Sequence, residues 1–396
     1  MSQPSTDLAD VPQHSRAREL STLHYTRPAE RPFLATERSH TTILFGGLTW
    51  KHERLIRAVL QGCGYRCETL PTPDIQCYQL GREHCNTGQC NPVYFTVGTL
   101  LRYLDQLRAQ GHTPQEIVDS YVFFTAASCG PCRFGTYESE FRLALENAGY
   151  RGFRVLSFQQ DHGIQAATGE PGLKFTVDFG LGMLNALVLA DIVSDISFRL
   201  RPYEIDSGNT NEVVERIVDR IAVFLREGPR FELGDRIPFG AYLAQQRTGK
   251  YYRVSNTIGK ICSELRGHPY RSLLDDCREE LLKIKVDRLR VRPVVKVVGE
   301  FWAQLTESAG NYNLFPFLEG EGAELIVDPI STWVMYLLYE AKQRLKTRAK
   351  LELIHDDKRR LRWRFDPGLR RKVALFSLGE MLYRAHYQAA QRVLGS

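Results

Sequence analysis

Two short stretches of this sequence carry residue types that could do chemistry. One is Cys85-Asn86-Thr87-Gly88-Gln89-Cys90-Asn91-Pro92, and the other is Ser128-Cys129-Gly130-Pro131-Cys132-Arg133. They form a C-x4-C pair and a C-x-x-C pair separated by a helix-length segment. Clustered thiolates suit soft metals, and they bind iron–sulfur clusters and zinc far better than hard cations. Four readings of the spacing stand side by side. The two-residue gap of Cys129/Cys132 fits a structural zinc knuckle, whereas the gap of Cys85/Cys90 is looser. Cys129-Gly130-Pro131-Cys132 also has the form of a thioredoxin-like redox pair. The thiols can instead be small apolar core side chains without any metal. The fourth reading is an iron–sulfur cluster.

The elements that must position these residues can be read from periodicity. Apolar β-rich runs at 41–45, 65–70, 121–125 and 153–158 alternate with helical spacing at 50–60, 95–109 and 136–148. This rhythm predicts a doubly wound α/β lobe over residues 40–170, after a flexible arm at 1–39. Cys129/Cys132 then fall at the carboxyl end of a parallel strand and beside a helix N-terminus, where such sheets bind ligands. Backbone N–H groups there favour an anionic thiolate. Cys85 and Cys90 precede a second helix, with Gly88 allowing a positive φ. Residues 171–290 read as a helical bridging segment. Residues 291–396 read as a second α/β lobe with a basic helical C-terminus, built on strands at 294–298 and 324–327 and helices at 313–319 and 330–345. The expected architecture is therefore two doubly wound lobes with parallel sheets, flavodoxin- or Rossmann-like, joined by helices.

Other residues bear on the site. Arg133 can donate to cluster sulfur or to an anionic ligand, or pair with Glu138 or Glu140. Asn86 and Gln89 can support the cofactor or cap the following helix. Glu300, at the end of a second-lobe strand, is a candidate acid or base and equally a helix cap. His162 lies in a loop and reads as structural. Cys77, in the loop leading to Cys85, is a candidate fifth ligand, and Cys63, Cys67, Cys262 and Cys277 read as core residues.

The 396 residues give length for two or three domains. Nine cysteines, an odd count, without an apolar leader argue for reduced thiols and a cytoplasmic protein. No run reaches the ~20 apolar residues of a membrane span, and the nearest, 181–196, carries Asn185, Asp191 and Asp195, as a buried helix would. The net charge is +6, with thirteen Lys or Arg against four Asp or Glu between Lys342 and Lys372. That run reads as a solvated helical face, or as a docking surface for an acidic partner, an anionic cofactor or nucleic acid. No nucleic-acid motif accompanies it, so neither nucleic acid nor membrane is an expected partner.

Gly81-Arg82-Glu83-His84-Cys85 through Cys90-Asn91-Pro92 to Gly98 resembles the superfamily of 2-hydroxyacyl-CoA dehydratases and their activase-related proteins. So do Ser128 to Glu138, Ser157-Phe158-Gln159-Gln160, Val297-Val298-Gly299-Glu300-Phe301, Asn311-Tyr312-Asn313 and Glu321-Gly322-Ala323-Glu324. The likeness is closest to the dehydratase-like half of the large activase-related proteins. It implies a cluster, [4Fe-4S] or a larger double cubane, in a cleft between α/β lobes, held by Cys90, Cys129 and Cys132, with Cys85 as a less firm fourth ligand. It also implies low-potential electrons from an ATP-hydrolysing activator. The substrate would be an acyl-CoA or another small molecule, handled by a dehydratase-like lyase or a reductase, and the assembly a homodimer or heterodimer. This chain has no G-x-x-x-x-G-K-[ST] loop, so the ATP-dependent step would belong to a separate protein. A non-enzymatic scaffold or sensor with a structural cluster or zinc is the alternative.

Overall fold

The computed structural model describes residues 31–127, 132–159, 172–228, 250–354 and 367–395. The fold is mixed α/β and 67% helical, with one four-stranded and one two-stranded parallel sheet.

The first sheet comprises β1 (Thr42–Phe45), β2 (Arg66–Thr69), β3 (Tyr121–Ala127) and β4 (Arg154–Gln159), in the order β2-β1-β3-β4. The strands pair in parallel, with Thr42 opposite both Arg66 and Tyr121, and Val122 opposite Arg154. Alternation along β1 feeds two cores. Ile43 and Phe45 join Leu55, Val59, Val188 and Ile192 on one face, while Leu44 joins Val93, Leu100, Phe141 and Val155 on the other. A strand buried on both faces is a near-continuous apolar run, and the four residues of β1 are all buried.

Helix α1 (Trp50–Gly62) follows β1, with Thr49 as its N-cap. Next come α2 (Ile75–His84), α3 (Asn91–Ala109), α4 (Pro114–Ser120) and, after β3, α5 (Tyr137–Asn147). The run at 181–196 lies within α6 (Val177–Leu200), a helix apolar and long enough to cross a membrane by composition, but mostly buried inside the protein. Its Asn185 and Asp191 are both buried. Helices α7 (Asn209–Glu227), α8 (Lys250–Arg266) and α9 (His268–Leu282) complete the helical middle.

The second sheet pairs β5 (Val294–Val297) with β6 (Glu324–Val327). Short helices α10 (Phe301–Leu305) and α11 (Leu314–Gly320) lie between them, and the long α12 (Ile330–Ile354) and α13 (Pro367–Leu394) follow. Where the sequence predicts a doubly wound second lobe, the described residues form two strands, β6 lying against α6. Of the arm expected over 1–39, residues 31–39 are packed: Phe33 is in the core and Ala35–Glu37 form a 3-10 turn. The remainder of the arm lies outside the described residues.

Helices α2 and α3 meet at their backbones. A Cβ on Gly98 would lie 1.7 Å from the Cys77 carbonyl oxygen, and one on Gly81 1.9 Å from that of Tyr94. Only glycine permits that approach. It fixes the two helices that flank the C-x4-C segment.

Candidate metal centre

The Cys85–Cys90 segment is the turn between α2 and α3. Cys85 follows the last residue of α2, and Cys90 is the N-cap of α3. Gly88 adopts φ +80, the left-handed conformation expected of it. One carboxylate, Glu140 on the first turn of α5, organises this turn. It accepts from the Asn86 backbone N–H at 3.0 Å, from Asn86 Nδ2 at 2.9 Å and from Gln89 Nε2 at 3.0 Å. Tyr94 adds a second clasp, accepting from the Gln89 N–H at 2.9 Å and donating to the Asn86 carbonyl at 3.0 Å. Asn86 and Gln89 thus serve the turn itself. Glu140 was the residue missed as an organiser: its partners lie 51 and 54 positions away, beyond any local pattern.

Cys132 is the exposed N-cap of a 3-10 turn, Arg133–Thr136, which runs into α5. Arg133 Nη1 donates to the Gly88 carbonyl at 2.8 Å. It therefore ties the second cysteine segment to the first, where the sequence offered a bond to cluster sulfur or an anionic ligand, or a salt bridge with Glu138 or Glu140. Glu138 is instead held by Arg142 at 2.6 Å. Neither Cys90 nor Cys132 caps its own helix through its side chain. Both residues stand at helical N-termini, where N–H groups favour negative charge.

Tyr137, buried on the first turn of α5, has its phenol pushed up first by burial and then by lesser electrostatic effects of Glu300, Cys90 and Cys132. Glu300 is the N-cap of α10, its Oε2 accepting from the Ala303 N–H at 2.9 Å. The segment that follows also faces α3. Asn91 Nδ2 donates to Tyr312 Oη at 3.0 Å, and Phe95 stacks on Trp302 at 5.5 Å. Ser308, Tyr312 and Asn313 all adopt positive φ, the only non-glycine residues that do so among the described residues. Such strain concentrates where structure is held for a purpose.

The other thiols separate from this group. Cys85 is half-buried, and burial together with Glu140 pushes its thiol up to about 12. Cys77 is not in a loop but on the inner face of α2, fully buried. Cys67 and Cys277 are core residues as expected, whereas Cys262 is exposed on α8 and Cys63 is half-buried at the end of α1. Cys129 and His162 lie outside the described residues. Among the described residues no group of three His, Cys, Asp or Glu is placed to hold a metal. As a donor set Cys90 and Cys132 fit a soft metal, being thiols at N–H-rich turns. Cys85 fits it less well, because its surroundings resist the thiolate.

A second polar cluster, unmarked in the sequence, lies behind the carboxyl end of β1. His52 is bonded at both ring nitrogens, Nδ1 to Thr49 Oγ1 at 2.7 Å and Nε2 to Asp191 Oδ1 at 3.0 Å. Asp191 also accepts from the Ile330 and Ser331 N–H groups at 2.9 and 2.8 Å and from Ser331 Oγ at 2.5 Å. Lys51, buried and lowered by that burial, has Glu307 at 3.7 Å. Thr49, Lys51, His52, Asp191 and Glu307 line a cavity of about 30 Å³, room for one or two waters.

No family model, curated protein or solved structure matches this chain.

Proposed function

We propose that this chain is a cytoplasmic iron–sulfur protein whose cluster is held by Cys90, Cys129 and Cys132, at the junction of two α/β lobes. In this reading it is the dehydratase-like component of an electron-transfer system. It takes low-potential electrons from a separate ATP-hydrolysing activator and reduces or dehydrates a small-molecule substrate such as an acyl-CoA. The observation that carries the reading is the bond from Arg133 Nη1 to the Gly88 carbonyl at 2.8 Å, which ties the turn ending at Cys90 to the turn that Cys132 begins, so that two cysteines from separate parts of the chain stand at the N-termini of adjoining helical segments.

A cluster of this kind supplies one-electron transfer and, where an iron is open, a Lewis acid. The chain's own contribution is placement. Glu140 and Tyr94 fix the 85–90 turn, Arg133 ties it to Cys132, and the N-terminal N–H groups compensate thiolate charge.

Anaerobic purification with quantification of iron, acid-labile sulfide and zinc tests this. The expected protein is brown, with iron and sulfide in cluster stoichiometry, and it loses its visible absorbance in Cys90→Ala and Cys132→Ala while keeping it in Cys262→Ala. A colourless protein carrying one zinc would reject the proposal and favour a structural role for the thiols.

A further inference from the structure

Helix α13 divides into two halves. Its buried residues are Tyr383, His386, Ala390 and Leu394, a stripe at i, i+3, i+7 and i+11 that packs on the body of the protein. The first four turns bury nothing. They nevertheless carry Leu375, Leu378, Met381 and Leu382, which are 60, 47, 58 and 42% exposed. At 100° per residue these four, together with Arg370 and Arg371, fall within an arc of roughly 140°. The neighbouring α12, tied to α13 by Lys342 Nζ–Glu380 at 2.7 Å, adds exposed Tyr336 and Tyr339.

Charge says what covers this face. Across residues 336–348 and 367–382 seven Lys or Arg stand against two carboxylates. Both carboxylates are already neutralised, Glu380 by Lys342 and Glu340 by Arg344 at 2.9 Å. No described residue pairs with Arg370, Arg371 or Lys372. A second copy of the chain would bring the same cations to the contact. Leucine and methionine side chains are not ligands for phosphodiester or base edges, which argues against nucleic acid. An exposed apolar stripe that begins at a cluster of cations is an arrangement suited to a lipid–water interface, apolar side in the acyl boundary and cations on the headgroups.

We propose that the exposed half of α13, with Arg370, Arg371, Leu375, Leu378, Met381 and Leu382, is a peripheral docking surface for an anionic membrane. The contact lies on the bilayer and does not cross it, and it is independent of the metal centre. The test is sedimentation of the full chain with vesicles of phosphatidylcholine alone, and of equal parts phosphatidylcholine and phosphatidylserine. The protein is expected to co-sediment with the anionic vesicles only, and less so as salt is raised. Arg370→Glu combined with Arg371→Glu is expected to weaken binding at least roughly thirty-fold. Leu378→Glu should weaken it as well, and Met381→Ser gives an independent check on the apolar term. Since all four positions are exposed, far-ultraviolet circular dichroism should be unchanged in each variant. Absence of binding, equal binding to neutral vesicles, or binding indifferent to these substitutions would overturn the proposal. So would concentration-dependent self-association that Leu378→Glu abolishes, which would make the face an interface between copies.

Discussion

Replacing Gly98 by alanine sets two effects of opposite sign against each other. In a helix interior alanine is favoured over glycine by about 0.8–1.0 kcal/mol, so helix propensity alone predicts a stabilised protein. The contact between α2 and α3 predicts the reverse. The new Cβ would lie 1.7 Å from the Cys77 carbonyl oxygen and 2.8 Å from the Gly81 nitrogen, both backbone atoms that cannot swing aside. Relief requires the helices to part by more than an ångström, and a gap of 0.5–1 Å already forfeits about a quarter to a half of each dispersion contact along the seam. Overpacking of this kind costs about 1–3 kcal/mol, and a backbone collision belongs at the upper end. Net of propensity, Gly98→Ala should destabilise by about 2 kcal/mol. Urea unfolding reads this as a lower midpoint at unchanged slope. Gly81→Ala, whose Cβ would meet the Tyr94 carbonyl, should behave alike, and the double variant should lose less than the two single losses combined, because one separation relieves both collisions. A Gly98→Ala protein as stable as the parent, or more so, would refute the close approach of these helices.

Two pH dependences follow from buried groups. Burial, with Arg266 nearby, lowers His386 from 6.5 to about 4, and its Nε2 lies 2.8 Å from Asn185 Oδ1. The unfolded chain therefore takes up a proton at this residue before the folded one does. Stability is whole above pH 6.5 and falls as the pH drops toward 4, by about 3 kcal/mol from this residue, a slope that His386→Gln should remove in denaturant melts across that range. Glu53 runs the other way. Burial raises it to about 8, although it accepts from the Gly47 and Leu48 N–H groups at 2.8 and 3.0 Å. Its contribution is complete below pH 4.5 and is lost as the pH rises through 8. Glu53→Gln should therefore gain on the parent between those values, by about 4–5 kcal/mol at most, and a stability difference that does not vary with pH would count against a protonated Glu53.

Much of the fold was legible because β1, β3 and α1 obey simple patterns: β1 is buried throughout and mostly apolar, and α1 has a threonine cap and a buried stripe. Helix α2 was not legible. Pro71 and Pro73 precede it, its apolar residues are few, and its start depends on the Asp74 carboxylate accepting from the Cys77 N–H at 2.9 Å. That placed Cys77 in a supposed loop when it faces the core. At the candidate centre residue types and spacing singled out Cys90 and Cys132, but their assembly rests on Glu140 and Arg133, whose partners are 45 to 54 positions distant. The second sheet was overestimated because one strand–helix–strand rhythm looks alike whether it seeds a large sheet or stops at two strands. Its extent is decided by what packs on it, here α6.

The bonds of Asp191 also impose an order on how the chain assembles. His52 precedes it by 139 positions, and the Ile330 and Ser331 groups follow it by 139 and 140. During synthesis the four strands of the first sheet, and α6 itself, are complete long before residues 330 and 331 exist. Until they arrive, a side chain destined for the interior holds only one of its four bonds, and burying it would carry the cost of unsatisfied polar atoms. The N-terminal half thus has a built-in reason not to close around α6 prematurely. Final consolidation waits for the beginning of α12, so the long loop closure falls at the end of folding.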